Sequence, residues 1–262
     1  MSSLPLFQID AFTDKVFGGN PAAVIPLEKW LSDEKMQQIA LENNLSETTF
    51  IVPEKQQNNY HIRWFTPEVE VDLCGHATVA AAYYLYKIAG VSGDITFQSR
   101  SGELIISEAN EWFYLNFPAM LLTPETITEP ITKAMGITPK LAFKSKDDWQ
   151  FVYETQEEIE NLKPDFHFLR TFPEWENPAR GIIVTAKSSE KGVDFVSRFF
   201  APACGINEDP VTGSAHTKLI PYWANKLKKH DLIAKQLSHR GGFLKCSLKN
   251  DRVLIGGQAI LY

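Results

Sequence analysis

The chain of 262 residues carries 26 lysines and arginines against 32 aspartates and glutamates, a formal net charge of -6. Hydrophobic residues make up 44% and charged residues 22%, which is typical of a globular protein able to bury one large core or two smaller ones. No run of Lys or Arg predicts a nucleic-acid partner, and no apolar run reaches the roughly 18 residues of a membrane span. We therefore expect neither nucleic acid nor a membrane as partner.

The first residues and the cysteines indicate a cytoplasmic location. "MSSLPLFQID" lacks the basic start and apolar middle of a signal peptide. Cys74, Cys204 and Cys246 are odd in number and widely spaced, so disulfides are not expected.

Short β-rich segments alternate with a few helices along the chain. The first strand is predicted in "LFQIDAF", followed by the turn "FGGNP". Residues 32–44 form a predicted helix, with Ser32 as N-cap and acidic residues in its first turn. Residues 118–139, rich in proline and threonine, are expected to be a linker that leads into a short helix. The further predicted strands are "TTFIVP", "YHIRWF", "ITFQS", "ELIIS", "WFYLNF", "GIIVTAK", "DFVSRFF", "FLKCSL" and "RVLIGG".

Two stretches in different halves of the chain follow one pattern. "RWFTPEVEVDLCGHATVAAAYYL" begins at Arg63 and "RFFAPACGINEDPVTGSAHTKLI" begins at Arg198. Each reads arginine, aromatic, Phe, small residue, Pro, a loop, Gly, a polar residue, Ala and then a helix. This internal repeat predicts two similar domains, each with one strand–loop–helix unit.

The repeat has a chemical consequence, because a helix N-terminus exposes unpaired N–H groups and a partial positive charge. Two such ends aimed at one crevice would bind an anion, most simply a substrate carboxylate. Gly75 and Gly213, at the two helix starts, would let the backbone approach this substrate closely. We therefore expect a small-molecule substrate.

Four motifs in this order resemble the phenazine biosynthesis isomerase-like family: "IDAFTDKVFGGNPAAV", "NLSETTF", "FTPEVEVDLCGHATVAAA" and "EDPVTGSA". The resemblance implies an α+β fold like that of diaminopimelate epimerase. It has two similar domains, each an antiparallel, barrel-like sheet around a central helix, with the active site in the cleft between them. The central helices would lie at about 76–89 and 214–229. The domains would be residues 1–117 and 118–262, and the last strand, about 252–262, is a candidate to return to the first.

The family also implies roles for particular residues and a homodimer. Glu47 would be the general acid/base, with His76 and Asp209 as further catalytic residues and Ser214 binding substrate. The reaction would be a proton transfer within a small carboxylate-bearing metabolite, without a cofactor. Asn20, after two glycines, is a weaker candidate for a substrate contact.

Alternative interpretations stay open at several positions. Ser214 could be an ordinary N-cap, and His76 a capping histidine. Cys74 could serve a thiol-dependent epimerase or dehydratase, although the position equivalent to a second thiol holds Thr212, which is too weak an acid. A non-catalytic small-molecule-binding protein is a further alternative. The six histidines form no metal-ligand motif, so no metal site is predicted.

Overall fold

Strands outnumber helices in the computed structural model, which describes residues 3–171 and 180–262. The chain divides into two units: unit 1 comprises residues 1–117 and 254–262, and unit 2 comprises residues 118–253. The predicted α+β class is confirmed. No helix in the described part of the chain is long and apolar enough to cross a membrane.

The described residues form seventeen strands and six α-helices. The strands are β1 (Phe7–Ala11), β2 (Asn20–Pro26), β3 (Glu47–Pro53), β4 (Asn59–Phe65), β5 (Glu70–Val71), β6 (Ile95–Ser99), β7 (Gly102–Ala109), β8 (Trp112–Pro118), β9 (Thr123–Glu125), β10 (Leu141–Lys144), β11 (Asp148–Val152), β12 (Gly181–Lys187), β13 (Phe195–Phe200), β14 (Asp231–Gln236), β15 (Gly242–Lys249), β16 (Arg252–Gly257) and β17 (Ala259–Leu261). The helices are α1 (Asp33–Asn43), α2 (Gly75–Tyr83), α3 (Glu129–Met135), α4 (Gln156–Asn161), α5 (Phe166–Arg170) and α6 (His216–Leu227).

The two units repeat one order of strand pairing. In unit 1, β1–β2, β3–β4 and β6–β7 are antiparallel, whereas β2–β3 and β4–β6 are parallel. In unit 2, β10–β11, β12–β13 and β14–β15 are antiparallel, whereas β11–β12 and β13–β14 are parallel. The sheets are therefore mixed where a purely antiparallel arrangement was expected, because helical crossovers join the parallel strands.

An arginine at the same place in each unit marks the repeat. Arg63 on β4 binds both carboxylate oxygens of Glu70, and Arg198 on β13 binds both carboxylate oxygens of Glu208. Each guanidinium also lies over the ring of the Phe two residues further on, at 5.2 Å in unit 1 and 4.9 Å in unit 2. The predicted internal repeat is thus present in contacts as well as in sequence.

α2 is a core helix. Its first eight residues are buried, as a helix that is apolar on every side requires. It packs against β1, β2, β3 and β17, and it continues as one π-helical segment, Tyr84–Ile88. This matches the central helix predicted at about 76–89.

α6 is the counterpart of α2 in unit 2 and begins with a 3-10 turn, Gly213–Ala215. Pro221 lies inside it and has no N–H to donate to the Thr217 carbonyl. The backbone N–H of Met120 donates to that carbonyl instead, at 3.0 Å. The helix therefore tolerates an internal proline because a neighbouring segment supplies the missing donor.

Two predictions about local structure had different outcomes. Ser32 caps α1 by accepting a hydrogen bond from the Lys35 N–H, as its position in the sequence predicts. The prediction of a linker at 118–139 was partly wrong, because this segment contains β9, which pairs antiparallel with β10. The short helix expected at its end is α3.

Candidate active site

Four polar side chains of unit 1 meet at the start of α2. Asn20 and Glu47 are the first residues of β2 and β3, and because these strands are parallel, their first residues lie at the same edge. Cys74 is the N-cap of α2, and His76 is its second residue. Since α2 packs against both strands, its start lies beside that edge of the sheet.

His76 is the centre of this cluster, which we call the Glu47–His76 cluster (Asn20, Glu47, Cys74 and His76). His76 Nε2 lies 2.9 Å from Glu47 Oε2, and His76 Nδ1 lies 3.1 Å from Asn20 Nδ2 and 3.5 Å from Cys74 Sγ. The side chains of Glu47 and His76 are only 13% and 6% exposed. Apart from His76 Nε2, no described residue offers Glu47 Oε2 a hydrogen-bond donor.

The protonation of the cluster follows from burial and from the Glu47 charge. Burial by itself lowers the pKa of His76, but the Cys74 sulfur and the Glu47 carboxylate beside it raise that pKa well above its usual value. Burial, and then the Glu47 carboxylate, raise the pKa of the Cys74 thiol to about 11. At neutral pH the thiol is therefore protonated, so the charge that acts on His76 is that of Glu47.

Asn20 lies against the imidazole of His76. It is completely buried, with its amide against the His76 ring. This contact lets Asn20 orient the imidazole, and its substrate contact stays a prediction.

The helix starts of the two units share one contact, in which a side chain donates a hydrogen bond to the backbone carbonyl four residues earlier. In unit 1, Thr78 Oγ1 donates to the Cys74 carbonyl at 2.6 Å. In unit 2, His216 Nδ1 donates to the Thr212 carbonyl at 2.9 Å. Ser214 lies within the 3-10 turn, so the alternative that it is an N-cap is wrong.

Asp209 lies in unit 2 among groups that hold its loop. Its carboxylate accepts a hydrogen bond from Thr212 Oγ1, and its backbone carbonyl accepts one from Gln236 Nε2 at 2.8 Å. Gln236 Oε1 in turn accepts the Thr212 N–H at 2.9 Å. Gln236, the last residue of β14, thus joins the "EDP" and "TGS" parts of the motif.

Ser214 is held by an arginine that the motif does not contain. Arg180 Nη1 donates to Ser214 Oγ at 2.9 Å, and the same guanidinium binds both carboxylate oxygens of Asp148. Lys218 Nζ also donates to Asp148, at 2.7 Å, and both of these side chains are buried. Burial raises the pKa of Asp148, but the Arg180 and Lys218 cations outweigh it and lower that pKa, so the carboxylate stays charged.

Sequence reasoning missed Arg180, Asp148 and Gln236. The positions of Arg180 and Asp148 carry no local motif, and Asp148 Oδ1 is reached by an arginine 32 residues further along the chain. A lysine inside the apolar run of α6 was the one available signal, because a buried lysine requires a buried acid.

Among the described residues, the Glu47–His76 pair has no counterpart at the equivalent positions of unit 2. Arg63 pairs with Phe50 on β3, and Arg198 pairs with Val184 on β12. Three residues before these strand partners lie Glu47 in unit 1 and Gly181 in unit 2, which are therefore equivalent positions. A Cβ at Gly181 would lie 2.2 Å from the Phe199 ring, so this position excludes a side chain. The residue of unit 2 that corresponds to His76 in the repeat is Ser214, whose hydroxyl does not titrate near neutral pH.

The same cluster brings together three kinds of metal-binding atom. One ligand atom each of Glu47, Cys74 and His76 lies within 4.8 Å of the other two. The sequence predicts no metal site because these ligands come from two distant segments. The geometry therefore offers a candidate ligand set that spacing rules do not detect.

Comparison with known proteins identifies the family. The phenazine biosynthesis-like protein family matches residues 9–262. An uncharacterized isomerase of Pseudomonas aeruginosa is 47% identical over 260 residues, which cover 99% of this chain and 96% of the relative. The crystal structure of a phenazine biosynthesis protein of the PhzF family from Enterococcus faecalis is 46% identical, with a TM-score of 0.94 over 100% of this chain and 97% of that one.

A more distant structure shares the fold alone. A probable proline racemase from Agrobacterium radiobacter is 9% identical, with a TM-score of 0.61 over 99% of this chain and 91% of that one. The predicted epimerase-like fold is therefore confirmed, and this chain belongs to the phenazine biosynthesis-like protein family.

Proposed function

We propose that this protein is a cofactor-independent isomerase that moves a proton within a small carboxylate-bearing metabolite, with Glu47 as general acid/base. The observation that carries the proposal is the shielded contact between Glu47 Oε2 and His76 Nε2 at 2.9 Å. Relatives of similar length are named isomerases, which supports the reaction class. A cyclic or unsaturated amino acid is the substrate class we favour.

In the proposed reaction, the Glu47 carboxylate removes a proton from a carbon of the substrate and becomes a neutral acid. The electron pair left behind shifts along the unsaturated system, and Glu47 returns the proton at another carbon. His76 stays charged beside Glu47, and its N–H keeps the carboxylate oriented throughout. Because the cluster is largely shielded from water, the proton is returned to substrate rather than lost.

Asp209 and Ser214 are proposed as further site residues on the strength of the family resemblance. Arg180 already donates to Ser214 Oγ, so the hydroxyl hydrogen of Ser214 is available for an acceptor on the substrate, such as a carboxylate oxygen. The N–H groups at Gly75 and Gly213 would bind the same kind of anion.

The thiol-dependent alternative has less support. A thiol with a pKa of about 11 is a poor base at neutral pH, and Thr212 supplies no second thiol. The non-catalytic alternative does not account for a shielded acid/base pair, although only turnover excludes it.

The test is a panel of cyclic and unsaturated amino acids, each incubated with the protein and followed by proton NMR for an isomeric product. For the substrate found, Glu47→Gln should lower turnover about 10²–10⁴-fold, because glutamine keeps the shape but accepts no proton. Glu42→Gln, on the exposed face of α1, is the matched control and should be unaffected. Full activity in Glu47→Gln would show that Glu47 is not the base, and a panel without any product would favour the binding alternative.

A further inference from the structure

The ligand atoms of Glu47, Cys74 and His76 lie within 4.8 Å of one another in a largely buried site. We propose that this trio binds one zinc ion, and that zinc inhibits the enzyme reversibly. The inhibitory part rests on the proposed function, because it assumes that Glu47 is the base. The binding part stands by itself.

The ligand chemistry favours zinc. A thiolate, an imidazole and a carboxylate are the three ligand types that Zn²⁺ accepts, at about 2.0–2.3 Å each. Softer thiolate and imidazole donors disfavour magnesium and calcium, which prefer oxygen. Three protein ligands leave the fourth tetrahedral position open for water.

The distances already approach those of a metal site. Two ligands about 2.0–2.3 Å from one ion, at tetrahedral angles, lie roughly 3.3–3.8 Å apart. His76 Nε2 lies 2.9 Å from Glu47 Oε2 and 4.0 Å from Cys74 Sγ. Shifts of less than about 1 Å, within reach of side-chain rotation, would bring the three atoms around one centre.

The surroundings supply the outer contact that a zinc-binding histidine usually has. When Nε2 binds metal, Nδ1 carries the proton and requires an acceptor. Asn20 lies 3.1 Å from Nδ1, and its amide can present its oxygen there. The site is also nearly dry, since Cys74 is 7% and His76 5% exposed.

Charge and proton balance are consistent with binding. The Cys74 thiol loses its proton to solvent and becomes the zinc ligand, and the His76 Nε2 proton is likewise displaced. One Zn²⁺ then offsets one thiolate and one carboxylate beside a neutral imidazole, so the net charge of the buried cluster stays at zero. Inhibition follows because a carboxylate oxygen bound to zinc cannot also accept a proton from the substrate.

The experiment is a calorimetric titration of the metal-free protein with Zn²⁺ alone. A second titration with Co²⁺ is followed by absorption spectroscopy, which detects the thiolate-to-metal charge-transfer band. We expect one site per chain. Cys74→Ser should weaken Zn²⁺ binding by at least about 100-fold and abolish the Co²⁺ absorption. Asn20→Leu should weaken Zn²⁺ binding by about 10–100-fold, the usual cost of losing an outer contact.

Cys204→Ser is the matched control, because it removes an exposed thiol of unit 2 and should leave the titration unchanged. Thermal melting of each variant verifies that it is folded. A titration without stoichiometric binding, or unchanged in Cys74→Ser, would overturn the proposal. So would loss of binding in Cys204→Ser. None of these outcomes depends on turnover, so they leave the Glu47→Gln test independent.

Discussion

Glu47 and Cys74 both contact His76, yet burial and charge give the two side chains different chemistry. Glu47 shares a close contact with a histidine that it keeps protonated. Cys74 lies at a helix start, where a thiol often has a lowered pKa. Here desolvation and the Glu47 charge raise the pKa of the Cys74 thiol, so it stays protonated. Proximity to a helix start therefore does not by itself make this cysteine a nucleophile.

This difference predicts that Cys74→Ala retains most of the turnover on the substrate found for the wild type. The alanine removes a protonated thiol and leaves the contact between Glu47 and His76 in place. Steady-state rates of Cys74→Ala and Glu47→Gln, measured side by side, check this. A loss in Cys74→Ala as large as that in Glu47→Gln would favour the thiol-dependent reaction.

His216 gives a prediction about pH and stability. Burial lowers the pKa of His216 to about 4, from an ordinary value of 6.5. As pH falls below about 6.5, His216 becomes protonated in the unfolded chain, whereas in the folded chain it stays neutral until about pH 4. The free energy of unfolding therefore decreases across this window. Between pH 7 and pH 5 this loss is about 2 kcal/mol.

In His216→Thr, this loss of unfolding free energy between pH 7 and pH 5 should be absent. Thr78 makes the equivalent side-chain-to-carbonyl hydrogen bond in unit 1, so threonine is the matched replacement. Urea unfolding at pH 7 and pH 5 should show the wild type losing about 2 kcal/mol more than the variant. Equal losses in the two proteins would show that His216 titrates normally in the folded state.

Among the elements, the two repeat arginines bind different numbers of partners. Besides Glu208, Arg198 donates to the carbonyls of Ile159 and Leu162, at the end of α4. Arg63 instead contacts exposed Asp33, and its partner Glu70 has a second cation in Arg100. The same residue thus donates to two backbone carbonyls at the end of a helix in unit 2, and to the exposed side chain of the first residue of α1 in unit 1.

Replacement by lysine should therefore cost more in unit 2. Lysine keeps the charge but loses the planar fork, so Arg198→Lys leaves two helix carbonyls and one carboxylate oxygen without a donor, about 3 kcal/mol. Arg63→Lys should cost about 1 kcal/mol, because Arg100 still pairs with Glu70. Urea unfolding of both variants measures the difference, and an equal cost would contradict it.

For the whole molecule, the chain leaves unit 1 at residue 117 and returns to it with residues 254–262. β17 pairs antiparallel with β1, and the Tyr262 N–H donates to the Gln8 carbonyl at 2.9 Å. Unit 1 therefore contains residues from both its long first segment and the segment 254–262, and β17 completes its sheet beside β1.

We predict a homodimer, on the strength of the family resemblance. Light scattering at micromolar concentration should give a mass near twice the 29.6 kDa of one chain. A mass near that of one chain would reject this prediction.

The sequence by itself determined the family, the α+β class, the repeat and the identity of Glu47 and His76 as a pair worth testing. The class and the repeat follow from patterns among neighbouring residues, whereas the roles of Glu47 and His76 are what the family resemblance implies. Only the tertiary structure placed Asn20 against His76, 56 residues away, and Arg180 against Ser214.

The same limit explains the strands that the patterns missed. β14 overlaps the lysine-rich segment of residues 226–235, and β2 contains Pro21 and Pro26. Each is a strand because partners from distant parts of the chain satisfy its backbone hydrogen bonds: β13 and β15 for β14, β1 and β3 for β2. Contacts between residues far apart in sequence leave no local pattern, and it is such contacts that built the candidate site.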